Sequence, residues 1–248
     1  MHTPLYCAAA LLLLSACGGE SDEAARALCP VVVDTGALVT AGPTDLGYTT
    51  TLARARVVIH DVQLDRGGES HTRNLLKIMG LGVAYAHPGH LAGGDVLGEL
   101  PGRHVVDLAQ DGRLVGEATI VLGPFDSVGF GFGQATLEDG LAADDPLLGH
   151  SIELVGAASR DGRTVRFHAV LDQDLDRVVV GIPFPTRIDA AGTPIGFGLL
   201  GAGLFDGVDF FALAGEADDA ALDAPALARL RRALQSHEHF AARTRPEN

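Results

Sequence analysis

Val165-Arg166-Phe167-His168-Ala169-Val170-Leu171 alternates apolar and polar side chains along its length. Successive side chains of an extended strand point to opposite faces, so residues 165, 167, 169 and 171 face one way, as a strand buried on one side requires. Asp161-Gly162 stands just ahead of this stretch and follows a second apolar run at 150–158. Asp-Gly between two such runs signals a hairpin, because both central residues of the tight turn take positive φ.

The same rhythm of short run and turn continues in both directions. Further strands are expected at 31–33, 56–64, 80–85, 96–100, 104–107, 116–122, 127–136, 177–182 and 210–213, and further turns at Arg66-Gly67-Gly68, Asp111-Gly112 and Glu138-Asp139-Gly140. Many short strands at this spacing predict a mainly β chain, an antiparallel β-sandwich. One α-helix is expected near the C-terminus, over 220–243, where Leu222, Leu227, Leu230, Leu234 and Ala241 recur at helical spacing and Pro225 sits in the first turn. The glycine-dense stretch from Gly192 to Gly203 reads as a loop packed on the sheet. It lacks the strand-to-helix context of a phosphate-binding loop, which disfavours nucleotide binding.

The N-terminus carries a different kind of information. Ala8-Ala9-Ala10-Leu11-Leu12-Leu13-Leu14 is an apolar run that ends in Leu14-Ser15-Ala16-Cys17 and passes into the polar Gly18-Gly19-Glu20-Ser21-Asp22-Glu23. That is the order of a secretory signal peptide, although residues 1–6 contain His2 and neither Lys nor Arg. The run is shorter than the ~20 apolar residues a membrane-spanning helix needs. Leu-Ser-Ala-Cys resembles a lipobox, which implies cleavage before Cys17 and a lipid on its thiol; two or more acyl chains make such attachment stable. The expected organisation is a signal peptide at 1–16, a lipid-anchored polar tether at 17–29 and a β-sandwich domain with its helix at 30–248. The implied location is the cell envelope, and Gly18 after the acylated cysteine leans towards the outer membrane, facing the periplasm or the cell surface.

Hydrophobic residues make up 47% of the chain, enough for a packed core, and the formal net charge is −14. The negative balance argues against nucleic acid as a partner, since phosphates demand clustered Lys and Arg, and it favours cations. With Cys7 lost to the signal peptide and Cys17 acylated, Cys29 has no partner for an intrachain disulfide, and beside Pro30 at a strand start it reads as buried and inert.

The residues with the most chemical promise are histidines. His87-Pro88-Gly89-His90 sets two imidazoles across a tight turn, and neutral imidazole is the commonest ligand for zinc and copper. His60, His104, His150 and His168 lie in expected strands and are candidates to complete a site. His237-Glu238-His239 is a second pair, but side chains two apart on a helix diverge by about 200°. Asp172-Gln173-Asp174-Leu175-Asp176 has the alternating acids of a calcium loop without its glycine or final glutamate, and reads as a charged hairpin turn. The chain contains no Gly-x-Ser-x-Gly, Ser-x-x-Lys or His-Glu-x-x-His motif.

The stretches at 121–133, 149–156 and 165–168 resemble, in strand order, the MbnP-like secreted proteins. The resemblance covers about 105–182 and implies an extracytoplasmic β-sandwich associated with copper, with His168 at the position of a strand histidine; that family's tryptophans near the metal have no counterpart in this chain. Two functions are therefore expected as alternatives. One is a lipid-anchored, non-catalytic metal-binding protein that takes copper or zinc through His87, His90, His168, His60 and His150. The other is a surface interaction module for a protein or a glycan, with structural histidines.

Overall fold

A computed structural model describes residues 26–37, 43–66 and 95–246. Eleven strands join in one sheet: β1 (Arg26–Val33), β2 (Thr49–Arg66), β3 (Asp95–Asp107), β4 (Leu114–Val121), β5 (Gly123–Phe132), β6 (Ile152–Arg160), β7 (Arg163–Leu171), β8 (Val178–Ile188), β9 (Ile195–Leu199), β10 (Asp219–Ala221) and β11 (Phe240–Thr244). Two short α-helices, α1 (Phe210–Ala214) and α2 (Ala224–Ala233), lie between β9 and β11.

The hairpin read from Asp161-Gly162 forms as expected. Both residues have positive φ, 52° and 80°, and β6 pairs β7 without a break from Ile152↔Leu171 to Arg160↔Arg163. Val165, Phe167, Ala169 and Leu171 are all buried. β2 organises the rest, because its first half pairs β6 while its second half runs between β3 and β5. The sheet order is β10-β7-β6-β2-β3-β4-β1-β9-β11, with β5 and β8 branching from β2.

The pairing is mixed and not wholly antiparallel, since β1 runs parallel to β9 and β7 parallel to β10. β9 replaces the loop expected at Gly192–Gly203, and all five of its residues are buried. Its glycines permit a close approach: a Cβ on Gly198 would stand 2.1 Å from the Asp34 carbonyl oxygen. Glycine density here marks two backbones in contact. β1 begins at Arg26, so the last residues of the expected tether are strand, and β9 joins it only from Val31, just beyond Pro30, which has no N–H to give.

Other expectations also change. The strand expected at 210–213 is α1, capped by the Asp209 carboxylate, which accepts the Ala212 N–H. The single helix expected over 220–243 is reduced to α2, with Asp223 as its cap; β10 precedes it, and past Leu234 the chain turns at Ser236 into β11. The apolar spacing of 227, 230 and 234 was helical, but Phe240 and the residues after it pair with β9. The acidic stretch after β7 leads to β8, which is not a neighbour of β7, so it is a crossover turn and not a hairpin. The strand expected at 80–85 lies outside the described residues.

Phenylalanines fill the interior. Phe130 meets Phe132, Phe197 and Phe240 edge to face, with ring centroids 5.2, 5.5 and 5.0 Å away. Phe167 packs with Phe205 and Phe210, and Tyr48 closes this group while donating its hydroxyl to Asp209. Such pairs add about 0.5–1.5 kcal/mol each beyond their buried area. Cys29 is free and fully buried, and desolvation raises its thiol pKa, in keeping with an unreactive side chain. No helix among the described residues is long and apolar enough to cross a membrane.

Candidate functional site

Two-residue periodicity puts Arg54, Arg56, Val58 and His60 of β2 on one face, away from the phenylalanine core. Register brings Glu153 of β6 opposite Arg56 and Asp107 of β3 to its other side. Val58 is nonetheless buried, because a closed loop lies across this face. Its ends meet where Ala135 donates to His150 and Gly149 donates back to Ala135, and its Ala135 and Leu147 pack on Val58.

Glu153 is the centre of the arrangement. Its side chain is 1% exposed, and one oxygen accepts from Arg56 Nε at 2.6 Å while the other accepts from His168 Nε2 at 3.0 Å, with Arg54 Nη1 at 3.6 Å. An ionised carboxylate can only accept, so Nε2 carries the imidazole proton. Arg56 spans to the loop as well, donating Nη1 and Nη2 to the two oxygens of Asp145 at 2.8 and 2.6 Å. This fork raises the Arg56 pKa and holds the Asp145 carboxyl below its ordinary range. Arg103 anchors the other end of the loop, through Asp139 at 3.1 Å and Thr136 at 2.8 Å.

Between the loop and the sheet lies an open cleft of about 440 Å³, walled by Arg54, Arg56, Asp107, Arg113, Asp139 and Asp145 among others. Val105, Leu141 and Pro146 contribute the apolar part of its lining. It shares Val105, Arg113 and Asp139 with a neighbouring hollow of about 360 Å³ on the β3–β4 side.

The expected histidines do not gather here. His168 is committed to Glu153, His150 donates Nδ1–H to Asp172 at 2.9 Å, and His60 donates Nδ1–H to Asp61 at 3.0 Å. The Asp61 backbone is in the left-handed region (φ 50°) at a bulge in β2, and the His60 ring occupies the space a Cβ on Gly131 would need. His104 donates Nε2–H to the Pro101 carbonyl. His239 is half-buried, with Nδ1 unpaired among the described residues, and desolvation lowers its pKa. No three His, Cys, Asp or Glu side chains among the described residues stand close enough together to hold a metal ion. His87, His90 and Cys17 lie outside the described residues. Sequence reasoning missed Arg54, Arg56, Asp145 and Glu153. The available signal was Ile152-Glu153-Leu154-Val155, a charge inside an apolar strand, paired by period with Arg54-Ala55-Arg56.

No protein-family model, curated protein or solved structure matches the chain.

Proposed function

We propose that this protein is a cell-envelope binding module, anchored by a lipid on Cys17, that acts by holding a ligand. The observation that carries this reading is the loop-covered face of β2, β3 and β6: a fixed charged network beside an open cleft, with every described strand histidine already engaged by a carboxylate or a carbonyl. The strands on this reading pack as two layers, a sandwich whose filling is the cluster of Phe130, Phe197 and Phe240; the contact between β8 and β11 supports that closure. The test of the anchor is Cys17→Ser, which moves the protein from the membrane fraction to the soluble fraction and abolishes incorporation of labelled palmitate. A Cys17→Ser protein that stays on the membrane refutes the anchored module.

A second reading, copper or zinc binding, rests on His87-Pro88-Gly89-His90. His60, His150 and His168 each give one ring N–H to a carboxylate and leave the other nitrogen without a partner among the described residues, which is how proteins orient an imidazole for a metal. Elemental analysis of the detergent-purified chain decides it. Stoichiometric metal that disappears in His87→Ala/His90→Ala supports the site, and metal-free wild type rejects it while leaving the module intact.

A further inference from the structure

The cleft beside Arg56 holds three arginines and three aspartates, so its formal charge cancels, but its unused hydrogen-bonding capacity does not. All three carboxylates are occupied. Asp145 takes the fork of Arg56 and the Leu147 N–H. Asp107 takes the N–H groups of Ala55 and Ala109 and the side-chain amide of Gln110. Asp139 takes Arg103 and the N–H and hydroxyl of Thr136. Two arginines are far less committed. Arg54 stands at 3.6 Å from Glu153, beyond hydrogen-bond distance, with its side chain 49% exposed, and the exposed Arg113 guanidinium gives a single bond, to the side-chain amide oxygen of Gln110. The cleft therefore offers guanidinium donors beside the apolar side chains of Val105, Leu141 and Pro146, and little free acceptor.

We infer that this cleft binds a monocarboxylate with an apolar body, its carboxylate held by Arg54 and Arg113 and its body lying on Val105, Leu141 and Pro146. The inference rests on the binding-module reading and names the ligand class of that site. A planar carboxylate matches the guanidinium fork, whereas a doubly charged phosphate would meet Asp107, Asp139 and Asp145 at close range without the planar fit. Binding of this kind weakens as salt rises, because the arginines are partly solvated.

The experiment is a calorimetric titration of the full chain in detergent with benzoate, N-acetylphenylalanine, benzamide and inorganic phosphate. Saturable binding of benzoate or of N-acetylphenylalanine is expected, and the tighter of the two tells a free acid from a peptide C-terminus as the source. Benzamide, the neutral isostere, and phosphate bind at least tenfold more weakly. Arg54→Gln/Arg113→Gln lowers the carboxylate affinity at least tenfold with an unchanged circular dichroism spectrum and melting curve, and Arg54→Lys/Arg113→Lys falls between. The inference is overturned if neither carboxylate saturates, if phosphate or benzamide binds as tightly, or if the glutamine variant binds as well as wild type. None of these results depends on Cys17, so the cleft and the anchor fail separately.

Discussion

Replacing Arg56 by Met keeps an unbranched apolar stem and removes the guanidinium with its charge. Three charge-assisted hydrogen bonds go with it, one to Glu153 and two to Asp145. The two orphaned carboxylates differ in what they can do next. Asp145 is 16% exposed, on a loop, and can recover water; Glu153 is 1% exposed and keeps only His168 and the more distant Arg54. Breaking a buried ion pair by removing one partner costs about 3–5 kcal/mol, and the surviving neighbours of Glu153 place this case near ~3 kcal/mol. With a urea slope of roughly 3 kcal/mol per molar for a domain of this size, the midpoint should fall by about 1 M at unchanged slope. Arg56→Met/Glu153→Leu removes both charges and should regain most of the loss, giving a coupling of about 2 kcal/mol or more in the double-mutant cycle. A single-mutant loss below ~1 kcal/mol, or additive mutants, would show that Glu153 does not depend on Arg56, and the network would cease to be the organiser of the site.

Gly198→Ala forces a Cβ to within 2.1 Å of the Asp34 carbonyl oxygen, which is backbone and cannot swing aside. It should cost about 1–3 kcal/mol in thermal unfolding and raise amide exchange along β1 and β9; full stability would contradict the β1–β9 contact. Desolvation lowers the His239 pKa below its ordinary 6.5, so the unfolded chain binds this proton more readily. Stability should drop as pH falls below about 6.5 towards the lowered value, and His239→Phe should flatten that slope in urea titrations. Arg56 lowers the Asp145 pKa, so the stabilisation is complete above about pH 4 and disappears as pH falls through the lowered value; wild type, but not Asp145→Asn, should lose it in acid. Phe130→Ala, at the meeting of three other rings, should cost about 3–5 kcal/mol by chemical denaturation.

Where alternation and a turn pair coincided, as in β6 and β7, the chain was legible residue by residue, because a strand buried on one face writes its period into the sequence. β9 was not legible, since Ile-Gly-Phe-Gly-Leu is buried on both faces and its Gly198 answers to the backbone of Asp34, far away in the chain. The helix was overextended for a related reason: Ala241 continues the helical period of Leu230 and Leu234, but β9 offers Phe240–Thr244 a ladder that a period cannot reveal. At the candidate site, histidines drew attention through their ligand chemistry, whereas Glu153 and Arg56 matter through pairing across β2 and β6, which emerges only once register is known. His60, His150 and His168 sit in or beside strands as expected, but each is turned to its own carboxylate.

Arg26, the first residue of β1, lies level with Val121, and Val33, the last, with Arg113 beside the cleft. The separation along the strand is ~23 Å at ~3.3 Å per residue. If Cys17 carries a lipid, β1 is the first described strand that a pull on it reaches. A pull along the axis of β1 would load the seven register pairs that join it to β4 together, in shear. Loading of that kind resists tension better than peeling the same pairs one at a time.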